Sequence, residues 1–284
     1  MNNTYGITIE SFLYDISLES IAAEYAALEA ETGTVLNADG TEAKSDFSSR
    51  VPKFLQKIGG LFRKLGEIIR NFLIRIRNFL KDHRDKFVKE HAKYNAPSEW
   101  VNAFNQMCNA LKVADEEIGM ASAFTVDEMI KGLREIKINP RSQNMYGFIA
   151  TSKVQRKEDF DAAYTKFRVY DILLNLSESD INEKIQNYNG PKMEFDWKKG
   201  LEIVQEIEKS VDYHYKTINK IISSGVLDHI DAEVKDLDEK TAQDITKIVR
   251  AVFNWEMSSV SLLQKEVNRL YFYINILSNK KFKV

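Results

Sequence analysis

Cysteine, proline, glycine and histidine are all scarce in this chain of 284 residues, and each shortage excludes something. The single cysteine, Cys108, has no partner for an internal disulfide, which fits a reducing compartment. The four histidines, His83, His91, His214 and His229, are scattered, and no Cys/His group has the spacing of a zinc site, so no metal is expected. Four prolines and twelve glycines give too little turn chemistry for the many short strands of a sandwich or barrel. No run of about 20 uncharged apolar residues occurs, so no segment reads as a simple membrane-spanning helix. The first 31 residues hold no Lys or Arg and no long apolar run, so they do not read as a secretory signal. Hydrophobic residues still make up 44% of the chain, enough for a substantial core. Long helices are the architecture that remains, and an all-α fold is expected.

Recognisable catalytic patterns are also missing. "GTEAKS" places Ala43, not Gly, before Lys44 and Ser45, so it is not a phosphate-binding loop. No Gly-rich dinucleotide turn, H-E-x-x-H pair or Gly-x-Ser-x-Gly elbow appears. The acidic "DHIDAEVKDLDE" at 228–239 lacks the glycine and spacing of a calcium loop and reads as a solvated helix entrance. Cys108 has only Lys112 as a basic neighbour in sequence, which points to a buried, inert thiol. Trp100, Trp197, Trp255 and the "YFY" at 271–273 fall at helical spacings and read as core. The chain therefore reads as a protein without enzymatic activity and without a cofactor.

What the sequence does have is an uneven distribution of charge. Glu10, Asp15, Glu19, Glu24, Glu29 and Glu31 give residues 1–31 a charge of −6; the whole chain carries −2, which leaves +4 for the remainder. Within this acidic leader, Ile9, Phe12, Leu13, Ile16, Leu18, Ile21, Tyr25 and Leu28 have helical spacing and predict a short amphipathic helix. Residues 32–52, with Gly33, Asp39-Gly40 and Pro52 among small polar residues, read as a linker.

Residues 53–90 form the most periodic stretch. Phe54, Ile58, Leu61, Leu65, Ile68, Phe72, Ile76 and Phe79 recur every three or four positions, and Leu55, Phe62, Ile69, Leu73 and Leu80 widen the stripe. Over 53–81 the opposite face carries Lys57, Arg63, Lys64, Arg70, Arg75 and Arg77, together with Lys53 and Lys81, against the single acid Glu67. These cations are the candidate contact residues for DNA, a membrane or a partner protein. Gly59, Gly60 and Gly66 each cost about 1 kcal/mol in a helix interior, which predicts a bend there or a helix formed only against a partner. Three readings of this helix stand open: packing on the domain itself, lying on an anionic membrane surface, or docking on another protein. A basic stripe would also hold phosphate without sequence preference and with strong salt dependence.

The helical body is assigned to residues 97–284. Pro97 in a first turn opens a helix to about 119, and Thr125, with Asp127 and Glu128, opens another to about 136. Residues 141–156 fit a loop or a short β-hairpin. Helices are predicted over 157–175, from the Ser177-x-x-Asp180 cap to about 188, over 195–223, and over 238–278, with a turn at "NGPK".

The leader carries three small-x-Glu triplets, Ser17-Leu18-Glu19, Ala22-Ala23-Glu24 and Ala27-Leu28-Glu29. These resemble the sites at which prohead proteases of large tailed bacteriophages cut after Glu. "ISLES", followed by Ala/Glu-rich sequence and a Lys/Arg/Phe/Ile-rich amphipathic helix, resembles the internal head or other virion proteins of giant phages. The resemblance covers about residues 7–90. It implies that residues 1–31 are a capsid-targeting propeptide, cut after Glu19, Glu24 or Glu29 by the prohead protease. It also implies partners among phage head proteins, synthesis in the host cytoplasm and residence in the virion. Loss of residues 1–29 removes five acids and shifts the formal charge from −2 to +3, a change that favours contact with packaged DNA.

Overall fold

The computed structural model describes residues 16–33, 47–89, 93–111, 130, 165, 167–228 and 239–284. The protein is all-α, with one two-stranded sheet among the described residues. Helix α1 spans Ile16–Gly33 and α2 spans Phe47–Lys89. Strand β1, Asn95–Pro97, leads into α3 at 98–111. Next come α4, Glu178–Asn187, strand β2, Lys192–Glu194, and α5, Trp197–Ser223. Helix α6, Glu239–Leu277, and a 3₁₀ turn, Lys280–Phe282, complete the order.

Three long helices make the core. Helix α2 lies antiparallel to α5: its Phe87 stacks on Trp197 and its Gly66 faces Ile218 and Ile222. It runs parallel to α6, with Phe62 against Phe253, Phe79 stacked on Tyr271 and His83 bonded to Asn275. The full apolar stripe of α2, from Phe54 and Leu55 through Ile76, Phe79 and Leu80, is buried in one cluster with Val204, Val211 and Ile218 of α5 and Val252, Val260 and Leu270 of α6. The glycines of α2 thus sit in an uninterrupted helix whose partners belong to the same chain. A Cβ on Gly66 would stand 3.2 Å from Ile218 Cγ2, so the missing side chain lets α2 and α5 approach closely.

Local sequence sets the boundaries. Ser177 and Asp180 form the expected capping box at α4: Ser177 Oγ accepts from the Asp180 N–H at 3.2 Å and Asp180 Oδ2 accepts from the Ser177 N–H at 3.1 Å. Asp196 caps α5 by accepting from the N–H groups of Lys198 and Lys199. Gly225, with φ +63°, takes the left-handed conformation that ends the same helix. Helices α5 and α6 begin and end within two residues of the expected bounds.

The small sheet is an addition to the pattern expected from the sequence. Strands β1 and β2 pair antiparallel, Ala96 opposite Met193, across nearly a hundred residues of sequence. Tyr94 bridges to Lys283, and the Val284 N–H donates to the Lys93 carbonyl at 2.9 Å. This clasp joins the starts of α3 and α5 to the region beyond α6. The expected helix over 125–136, apart from buried Ile130, and the segment 141–156 lie outside the described residues. The expected helix over 157–175 does not reach its end: 165 and 167–169 are helical, but residues 170–175 form turns in which the Asp171 carboxylate accepts from the Leu173 N–H and from Arg269.

Candidate functional site

Helix α1 meets α2 at the end of the core opposite the clasp. Its inner face buries Leu18, Ile21, Tyr25 and Leu28 in the common cluster, with the Tyr25 ring 4.9 Å from that of Phe253. Its outer face is acidic. Glu24 accepts two hydrogen bonds from Lys64 Nζ, at 2.8 and 2.6 Å. Leu28 lies beside Lys57 and Leu61, so the two helices run antiparallel, enclosing a groove of about 300 Å³. Glu24, Ala27, Gly60 and Lys64 complete its lining.

The three candidate cleavage residues occupy different settings on this helix. Glu19 is exposed in the first turn, followed by exposed Ser20. Glu24 holds Lys64, and the bond after it leads into Tyr25, which is 5% exposed. Glu29 accepts from Tyr25 Oη at 2.6 Å, an interaction that, after burial itself, raises the phenol well above its ordinary range. The last turn of α1 contains no basic residue, while Glu29 stands near the negative end of the helix dipole. Such placement disfavours the terminal turn by about 0.3–1 kcal/mol per acid. Exposing the bond after Glu29 frees Leu28 and the Tyr25–Glu29 hydrogen bond but leaves the buried Leu18 and Ile21 in place, whereas cutting after Glu24 requires Tyr25 to leave Phe253.

The six candidate contact cations fall into two rows, because a seven-residue step returns close to the same side of a helix. Arg63, Arg70 and Arg77 form the row beside α5. Arg63 pairs with Asp228 at 3.2 Å, and Arg77 bridges Glu208 at 2.6 Å and Asp212 at 3.1 Å. Lys216, more than Arg77, holds the Asp212 carboxyl below the usual carboxylate range. Lys57 and Lys64 lie beside α1, and Arg75 falls on the same side of α2 about three turns beyond Lys64. Arg70 and Arg75 are exposed, and no described carboxylate pairs with either.

Two polar sites inside the core have no forerunner in the sequence pattern. His214 of α5 and Glu256 of α6 are 1% and 0% exposed, with Nδ1 2.7 Å from Oε2. Asp171 receives Arg269 and the Tyr273 hydroxyl, the latter at 3.0 Å, and its carboxylate also accepts from the Leu173 N–H. The partners lie 42 to 102 residues apart in sequence, and no local pattern announces such pairs. Cys108 is buried, and burial pushes its thiol up to about 12. His83 is half-buried and its pKa lowered, chiefly by desolvation, while His91 and His229 lie outside the described residues. Among the described residues, no three His, Cys, Asp or Glu side chains converge as metal ligands. No described helix is long and apolar enough to cross a membrane. Comparison with protein-family models, with curated proteins and with solved structures gives no match.

Proposed function

We propose that this is a non-enzymatic virion protein of a large tailed phage, internal to the head or structural, in which α1 is the folded part of a leader removed during head maturation. The observation that carries the reading is the arrangement at α1: three small-x-Glu triplets on one acidic helix, docked at the edge of a body with which it shares a single face. The cut after Glu29 lies nearest the end of α1, where opening releases Leu28 and the Tyr25–Glu29 hydrogen bond while Leu18 and Ile21 stay packed. On this reading the leader directs the chain into the prohead, where head proteins and the prohead protease are its partners, and the mature protein resides with the packaged genome.

A membrane anchor over residues 53–81 is the weaker reading. The apolar stripe that such an anchor needs is enclosed by α5, α6 and α1, so contact with lipid requires the core to open. Intact-mass and N-terminal peptide analysis of the protein from mature particles tests the leader reading. A new N-terminus at Ala30, or at Ser20 or Tyr25, is expected, and chains starting only at Met1 or Asn2 would overturn it.

A further inference from the structure

We propose that α1 is an intramolecular mask over a phosphate-binding row on α2, formed by Lys57, Lys64 and Arg75, and that the polyanion it competes with is the backbone of double-stranded nucleic acid. The Glu24 carboxylate already shows what the row binds: two oxygens at 2.8 and 2.6 Å from the Lys64 ammonium, as a phosphate would present them. Lys57 lines the same groove, which is open beside Gly60, where a methyl group added to the glycine would meet nothing within 4 Å. Seven residues separate Lys57 from Lys64 and eleven separate Lys64 from Arg75, steps of about 10 and 16 Å along a helix. A row of that length suits a linear polyanion better than a single small anion. In the other row, the carboxylates that hold Arg63 and Arg77 come from Asp228, Glu208 and Asp212, which departure of α1 does not release.

Masking is competition at Lys64 reinforced by tethering. While α1 is covalently joined through residues 34–46, its local concentration at α2 is in the millimolar range expected of a short linker. Severing the chain after Glu29 removes that advantage, so the acidic helix leaves and the row is uncovered. This release step rests on the leader reading; the masking contact itself does not.

The test uses the full chain and a 30-base-pair duplex of random sequence, with affinity measured by fluorescence anisotropy between 50 and 200 mM salt. Glu24→Gln, at an exposed position that leaves the buried face of α1 intact, is expected to bind about three- to tenfold more tightly at 50 mM salt, with a log–log salt slope steeper by about 0.9 for the freed cation. Lys64→Gln in the Glu24→Gln background is expected to return both to the parent values. Equal affinity of parent and Glu24→Gln within twofold, or a gain that survives Lys64→Gln, would overturn the mask. A gain on vesicles containing anionic lipid with none on the duplex would overturn the choice of partner. Particle-derived chains that retain Met1 alongside a positive Glu24→Gln result would remove the leader reading and leave the mask standing.

Discussion

At the scale of single residues, the core depends on polar pairs as well as on apolar packing. His214 and Glu256 face each other between α5 and α6 with almost no access to water, so replacing one leaves the other in a setting arranged for a partner. His214→Leu is expected to cost about 3 kcal/mol, whereas joint replacement of both by apolar side chains of matching volume costs much less. Urea denaturation of the single and double variants measures the difference. Cys108 presents the opposite case, a group whose burial makes it inert: with its thiol pushed up to about 12, it is expected to resist iodoacetamide at pH 8 and to react once the chain is unfolded. The thiol's buried character is readable from its having only Lys112 as a basic neighbour in sequence, whereas His214 is readable only as one of four scattered histidines. The identity of Glu256 as its partner is not, because the pairing depends on the register of two helices that only the folded core sets.

At the scale of elements, periodicity locates α5, α6 and the body of α2, since each repeats apolar residues over many turns, but α2 begins at Phe47, inside the stretch 32–52 that reads as a linker. The cap at α4 is equally legible, because Ser177 and Asp180 act within one turn. Asp180 is held below the usual carboxylate range by hydrogen bonds from Ser177, so the capping contribution is complete above the ordinary carboxylate pKa of about 4 and is lost as pH falls through the lower folded value. Asp180→Asn is therefore expected to flatten the acid limb of stability measured by thermal unfolding between pH 5 and 2, roughly the window set by carboxylate titration. Gly60 and Gly66 show where sequence runs out: both read as the same helix-weakening residue, yet their surroundings differ. Gly60 faces open space, and Gly60→Ala is expected to stabilise the protein by about 1 kcal/mol; Gly66→Ala gains less, because its methyl meets Ile218 at 3.2 Å. The β1–β2 clasp is invisible in the sequence because three-residue strands that pair over such a separation carry no periodic signal.

At the scale of the whole molecule, the division into an acidic start and a basic remainder becomes a physical contact, with Glu24 on Lys64. The charges and the triplets are plain in the sequence. That Glu24 of α1 pairs with Lys64 of α2 is not, nor is the division of the six cations into two rows, one with Arg77 held by α5 and Arg63 by Asp228, the other with Lys64 held by α1. Those facts follow from which faces α2 turns toward its neighbours, and the apolar stripe is wide enough to serve several. Helices α2, α5 and α6 enclose each other, whereas α1 is joined to them by one face carrying Leu18, Ile21, Tyr25 and Leu28. Both the leader and the mask require this acidic helix to open independently of the three-helix core. Native-state hydrogen exchange on the full chain tests that requirement most directly. The amides of α1, beginning with the turn around Glu29, are predicted to exchange through openings at least about 2 kcal/mol less costly than those of α2, α5 and α6. Exchange of α1 only together with the core, at the free energy of global unfolding, would contradict it.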